Sequence, residues 1–238
     1  MAGHSKWSTI KRKKGKTDAQ RAKIFTKMGR EISVAVREGG GDPAVNGKLR
    51  DLIAKAKSLN VPGDNIERAI KKAGNDKAEY EHILYEGYGP LGVAVMVDCL
   101  TDNRNRTAGD LRHYFDKYGG NLGQSGSVGF LFERKGMLIL ASKGLDEAKV
   151  MEDCLESGAL DFHFGDEVAE IIAPPEEVGR VREAMEKKGY QFESAQAEYI
   201  PSTYVKLDEE NLARMEKLLE LLEASDDVQE VWHNWEEG

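Results

Sequence analysis

The spacing of apolar residues changes near residue 78, and that change restricts the chain to a mixed α and β architecture. Before it, apolar side chains recur every three or four residues, the repeat of a helix with one buried face. Ile24, Met28 and Ile32 form such a stripe, widened by Phe25, Ala35 and Val36. After it, apolar residues gather in short runs such as Val93–Val97 and Met137–Ala141, the composition of buried strands. These runs stop at about five residues, whereas a membrane-spanning helix needs about 20.

Glycine, proline and the short polar residues divide the pattern into elements. Gly39-Gly40-Gly41 ends the first helix. Asp42 as cap and Pro43 at the first position predict a second helix, with Val45, Leu49, Leu52, Ile53 and Ala56 on its buried face. A third helix carries Ile66, Ala69 and Ile70, with Gly74 at its end. Strands are expected over 80–88 and 93–100, around a turn at 89–92. A loop and helix over 102–118 follow, then a glycine-rich stretch, a strand over 127–133, a turn at Lys135–Gly136 and a strand over 137–141. Asp146, Glu176 and Asp208 each head an acid-rich first turn, which suits the positive end of a helix dipole. Gly158 and Gly189 stand where helix ends belong, and strands are expected within 160–173, 191–200 and 228–235. Sheets with helices on one face make the fold class α+β, behind a small N-terminal helical bundle.

Net charge hides a division. The chain has 238 residues, 34 basic and 42 acidic, for a net of −8. Residues 1–77 hold 19 basic and 8 acidic side chains, a net of +11; the remainder holds 15 and 34, a net of −19. Such asymmetry points to a nucleic-acid partner for the basic end. Lys6, Lys11, Arg12, Lys13, Lys14 and Lys16 fall within residues 1–17, which contain no acid, and this segment reads as a flexible basic arm. Arg21, Lys23, Lys27 and Arg30 continue the series onto the first helix. Such cations neutralise phosphates without reading sequence, and Trp7 is placed to stack on an unpaired base. The plainer alternative is a solvated tail that keeps the protein soluble.

A second candidate is Thr101-Asp102-Asn103-Arg104-Asn105-Arg106-Thr107. Arg104 and Arg106 at a helix entrance suit phosphate. They equally suit a capped helix start, with Asp102 or Asn103 as cap and both arginines paired to acids. A third, Gly119–Ser127, lacks the Lys-Ser/Thr ending of a phosphate-binding P-loop and leads to a strand, so it reads as a loop needing positive φ. His4, His82, His113, His163 and His233 are scattered, and no two lie four apart. No nucleophile elbow or kinase motif occurs. Neither catalysis, a metal nor a cofactor is expected. Cys99 and Cys154 sit in apolar patterns and read as core residues, in keeping with a reducing cytoplasm.

Longer strings carry a resemblance. Met1-Ala2-Gly3-His4-Ser5-Lys6-Trp7 is followed by Ile10-Lys11-Arg12-Lys13-Lys14 and Asp18-Ala19-Gln20-Arg21-Ala22-Lys23-Ile24-Phe25. Then come Gly40-Gly41-Asp42-Pro43, Asp64-Asn65-Ile66-Glu67-Arg68-Ala69-Ile70, Tyr85-Glu86-Gly87-Tyr88-Gly89-Pro90, Leu100–Thr107 and Ile200-Pro201-Ser202-Thr203. In this order they resemble the YebC/PmpR family across the whole chain. The resemblance implies an arm over 1–17, a helical domain over 18–77, an α/β domain over 78–133 plus 205–238, and a second α/β domain over 134–204 inserted into it. It implies a non-enzymatic, cytoplasmic regulator of gene expression of the DNA-binding transcriptional type. Other members imply an alternative, a ribosome-associated translation factor that contacts ribosomal RNA and relieves stalling on proline-rich sequences, related to mitochondrial translational activators. Expected partners are DNA or ribosomal RNA and the ribosome, with no membrane and no small-molecule substrate.

Overall fold

The computed structural model describes residues 18–74 and 79–236, with side chains from Arg21 onward. The arm carrying Lys6, Trp7, Lys11, Arg12, Lys13, Lys14 and Lys16 lies outside the described residues. Three helices come first: α1 (Asp18–Gly39), α2 (Gly47–Ser58) and α3 (Gly63–Ala73). The apolar stripe of α1 is buried as its spacing requires, with Met28, Ile32 and Ala35 inside beside Ile66 and Ala73 of α3.

The predicted start of α2 is corrected. Asp42 Oδ1 accepts from Ala44 N at 2.9 Å and closes a turn, leaving Val45 80% exposed rather than in the core. The helix begins four residues later, where Asn46 Oδ1 accepts from Leu49 N at 3.0 Å. Asn46 prevails because its Nδ2 also donates to Ala35 O at 2.9 Å and Gly40 O at 2.7 Å, so one buried side chain closes α1 and opens α2.

Two four-stranded sheets follow. The first has strands β1 (Glu81–Tyr88), β2 (Ala94–Thr101), β3 (Asn121–Leu122) and β8 (Val228–His233), in the order β3-β1-β2-β8. Its paired strands are antiparallel. The last strand of the chain thus pairs with β2, more than a hundred residues upstream. Helices α4 (Arg104–Lys117) and α7 (Glu209–Ala224) cover one face. Val93, Val95, Val97 and Cys99 meet Leu111, Phe115, Met215, Leu218 and Leu222 there, all essentially inaccessible. Asn103 caps α4 and Asp208 caps α7, each accepting the backbone N–H three residues on.

The second sheet has strands β4 (Phe132–Ala141), β5 (Asp161–Phe164), β6 (Val168–Ala173) and β7 (Ser194–Pro201), in the order β5-β6-β4-β7. Helices α5 (Glu147–Glu156) and α6 (Val178–Lys187) bring Val150, Cys154, Val181 and Met185 onto Leu138, Leu140, Ala169 and Ile171. Asp153, buried at the base of α5, accepts from Lys149, Lys188 and Tyr190 at 2.7 to 2.9 Å, which holds its carboxyl far below the usual carboxylate range.

Three further expectations are corrected here. Lys135–Gly136 is not a turn: β4 runs unbroken, with Gly136 opposite Ala173. A Cβ at Gly136 would stand 2.5 Å from Val178 Cγ2 and 2.9 Å from Ala173 O, so the glycine serves a close approach inside a strand. The strand expected from Ser127 begins only at Phe132, after a single 3-10 turn over Gly129–Leu131. The helix expected at Glu176 begins at Val178, and Glu177 at its N-cap makes no side-chain cap bond. Gly158 and Gly189 do terminate α5 and α6, at φ of 95° and 96°.

The described residues divide into two compact units. One holds 18–53, 61–74, 79–133 and 201–236, the other 54–60 and 134–200. No helix among the described residues is long and apolar enough to cross a membrane.

Candidate nucleic-acid interface

The cations of α1 turn toward the C-terminus of α7. Lys23 Nζ donates to Ala224 O and Lys27 Nζ to Glu223 O, each at 2.7 Å. Arg30 follows one turn later, reaching Asp226 O at 3.0 Å and Asp227 Oδ1 at 2.7 Å. The last carbonyls of a helix lack intrahelical donors and carry its negative dipole end, so Lys23 and Lys27 satisfy both needs, while Arg30 binds the turn just beyond. Arg21, earlier on the same helix, is exposed.

Arg106 belongs to the same construction. Asp227 accepts from Arg30 on one oxygen; on the other it accepts from Arg106 Nη2 and Thr107 Oγ1, both at 2.8 Å. Thr101 Oγ1 stands 3.3 Å from that second oxygen and 2.8 Å from Thr107 Oγ1. Burial alone would raise the Asp227 carboxyl, but the bonds from Arg106, Arg30 and Thr107 hold it below its ordinary value. Arg106 also reaches Asp102 Oδ1 at 2.9 Å, yet its side chain stays 45% exposed. Arg104 pairs with Glu81 at 3.1 Å on an open surface. The Thr101–Thr107 string is therefore a capped helix start with both arginines paired to acids.

The glycine-rich stretch is filled from within. Gly119 and Gly126 have φ of 80° and 83°, as a loop of that composition requires. The backbone N–H groups of Gly126, Val128 and Gly129 all donate to the carboxylate of Glu86, at 2.7, 2.7 and 2.6 Å. Burial pushes this carboxyl up, and the three N–H groups outweigh it to leave the acid more ionised than usual. The concave donors that would cradle a phosphate thus hold the protein's own anion.

Other cations lie on the helices. Arg68, Lys71 and Lys72 are exposed on α3, with Glu67 3.9 Å from Lys71. Lys48 pairs with Glu38 at 2.7 Å. No group of three or more metal-ligating side chains occurs among the described residues. His82 faces Asp98 at 3.7 Å, and that contact raises its pKa above the ordinary 6.5 although burial opposes it. His233 stacks on Trp235 at 5.6 Å between ring centres.

Comparison with known proteins adds what geometry alone does not. Residues 5–76 match the model of the TACO1/YebC protein N-terminal domain, and residues 80–235 that of the TACO1/YebC second and third domain. The chain belongs to the TACO1/YebC family. A relative from Finegoldia magna, named a probable transcriptional regulatory protein, is 58% identical over 99% of both chains. One of the same name from Caldicellulosiruptor bescii is 55% identical over 100% of this chain and 99% of its own. The crystal structure of the conserved hypothetical protein Aq1575 from Aquifex aeolicus superposes with a TM-score of 0.81 at 50% identity, covering 93% of this chain and 92% of that one. The two TACO1/YebC segments adjoin between α3 and β1, where the apolar spacing changes.

Sequence reasoning missed the two acids that organise this TACO1/YebC chain, Glu86 and Asp227. No local signal marks them: each is an ordinary carboxylate in a strand or turn, and its donors lie 40 or more residues away for Glu86 and 120 or more for Asp227.

Proposed function

We propose that this chain is a nucleic-acid-binding regulator of gene expression that acts without catalysis in the cytoplasm. The names of its relatives support the transcriptional form of that reading, with DNA as the target. The observation that carries nucleic-acid binding is the charge division: 19 basic against 8 acidic side chains in residues 1–77 of a chain that is otherwise acidic. Lys23, Lys27, Arg30 and Arg106 have internal acceptors, which concentrates the reading on the arm. Lys6, Lys11, Arg12, Lys13, Lys14 and Lys16 neutralise phosphates, and Trp7 stacks. Arg21 on α1 extends the surface. The arm 1–17, the helical module 18–77 and the two α/β modules serve as separate working parts in this scheme.

A second reading is a translation factor that places the arm on ribosomal RNA. The observation favouring it is the use of the α1 cations as helix caps, because a specific duplex reader lays a helix bearing base-reading side chains in the major groove. Sedimentation of the protein from its own lysate, at low and moderate salt with and without a DNA-specific nuclease, separates the two. Loss from a DNA-bound fraction on nuclease treatment is the transcriptional outcome. Nuclease-resistant, salt-sensitive migration with ribosomes is the translational one. Migration as a free protein in low salt would contradict both.

A further inference from the structure

Phe130 is an aromatic ring left 75% exposed on a segment fastened at both ends. On its N-terminal side, the N–H groups of Gly126, Val128 and Gly129 are held by Glu86. Tyr88 Oη also donates to Ser127 O at 2.7 Å. On its C-terminal side, Leu131 O accepts from Ser202 N at 2.8 Å and Ser202 Oγ at 3.0 Å, while Leu131 N donates to Val128 O at 2.9 Å. The backbone on either side of the ring is therefore fixed. A side chain on a fixed backbone has already met the backbone part of the ordering cost of binding.

The surroundings select the partner. Residues 118–132 contain neither an acid nor a base, within a region that carries a net charge of −19 after residue 77. The carboxylate held inside this stretch is that of Glu86, which is buried and taken up by three backbone N–H groups. Asn121, Gln124 and Ser125 are exposed there and offer neutral donors and acceptors to a base edge. Val128 is buried and Leu131 and Phe132 are half-buried, which leaves Phe130 as the one exposed large apolar side chain of residues 118–132. A single ring amid neutral polar groups matches base stacking, which tolerates any sequence.

We infer that Phe130 is a stacking platform for one unpaired base of a single-stranded nucleic acid, exposed on a loop clamped by Glu86 and Ser202. This rests on the nucleic-acid reading above and specifies which part of the ligand the α/β portion takes.

The test uses the full chain and fluorescence anisotropy with labelled 12-nucleotide single-stranded RNA, single-stranded DNA of the same sequence, and the corresponding duplex. Phe130→Ala should weaken single-strand binding by about tenfold, while Phe130→Trp restores or improves it. Duplex affinity and the salt slope should be those of the parent chain, since no cation is lost. The melting temperature should not fall, since the ring buries little. RNA affected more than DNA would identify the strand type, and equal effects would mean both are accepted. Unchanged single-strand affinity in Phe130→Ala overturns the inference. So does equal weakening on duplex, or a loss of melting temperature that explains the effect. So does normal nucleic-acid binding together with loss of a protein partner. If Lys11, Arg12, Lys13 and Lys14 changed together to Ala abolish binding while Phe130→Ala does not, this inference alone falls. If the parent chain binds none of the three probes, the nucleic-acid reading falls with it.

Discussion

Glu86 shows how one side chain decides what a loop can do. Its carboxylate accepts three backbone N–H groups of the 126–129 segment, and these hold it ionised below the ordinary value of 4.5 despite burial. A carboxyl depressed in the folded state adds stability above its unfolded pKa and loses it as pH falls through the folded value. Glu86→Gln replaces a charged acceptor and points an amide donor at backbone donors, so it should cost about 2 kcal/mol at neutral pH. Urea unfolding at pH 7 and at pH 3 checks this: the gap between parent and variant should narrow in acid. His82 has the opposite sign. Its raised pKa gives stability that is complete below 6.5 and fades as pH rises through the folded value. These roles were not legible in the sequence, because they depend on partners dozens of residues away. The glycines that need positive φ were legible, because that demand is local.

Elements were readable where periodicity and capping act over a few residues. The stripe of α1, the acid caps of α5 and α7, and the strands β1, β2 and β8 follow from local pattern. The start of α2 was not, because Asp42-Pro43 satisfies every local rule while Asn46 wins through contacts to Ala35 and Gly40. Gly136 misled for the same reason: a glycine in a strand looks like a turn until Val178 is seen above it. Gly136→Ala should cost about 1–3 kcal/mol through overpacking, measured by thermal or urea unfolding. The union of α1 with α7 makes a separate claim. Changing Lys23 and Lys27 to Met keeps their stems and removes two cations from a helix C-terminus, a loss of about 0.3–1 kcal/mol each. The melting temperature should drop accordingly.

Across the whole molecule, the charge division was plain in the sequence, but its allocation was not. Counting places Lys23, Lys27 and Arg30 with the arm; the structure gives each an internal acceptor. A composition argument cannot separate a cation that caps a helix from one offered to a phosphate. Thr101–Thr107 shows the same ambiguity resolved: the string was compatible with phosphate or with a capped helix, and Asp227 and Glu81 supply the acids of the second.

The central claim is that the arm binds nucleic acid while the α1 cations build the fold. The most direct measurement is affinity for one nucleic-acid probe as a function of salt, for the parent chain, for Lys11, Arg12, Lys13 and Lys14 changed together to Ala, and for Lys23 and Lys27 changed to Met. The account predicts that the arm variant binds several-fold or more weakly, with a salt slope flattened by up to about 4 at an unchanged melting temperature. The α1 variant should keep both affinity and slope while melting earlier. An arm variant indistinguishable from the parent, with the affinity lost instead in the α1 variant, would contradict it.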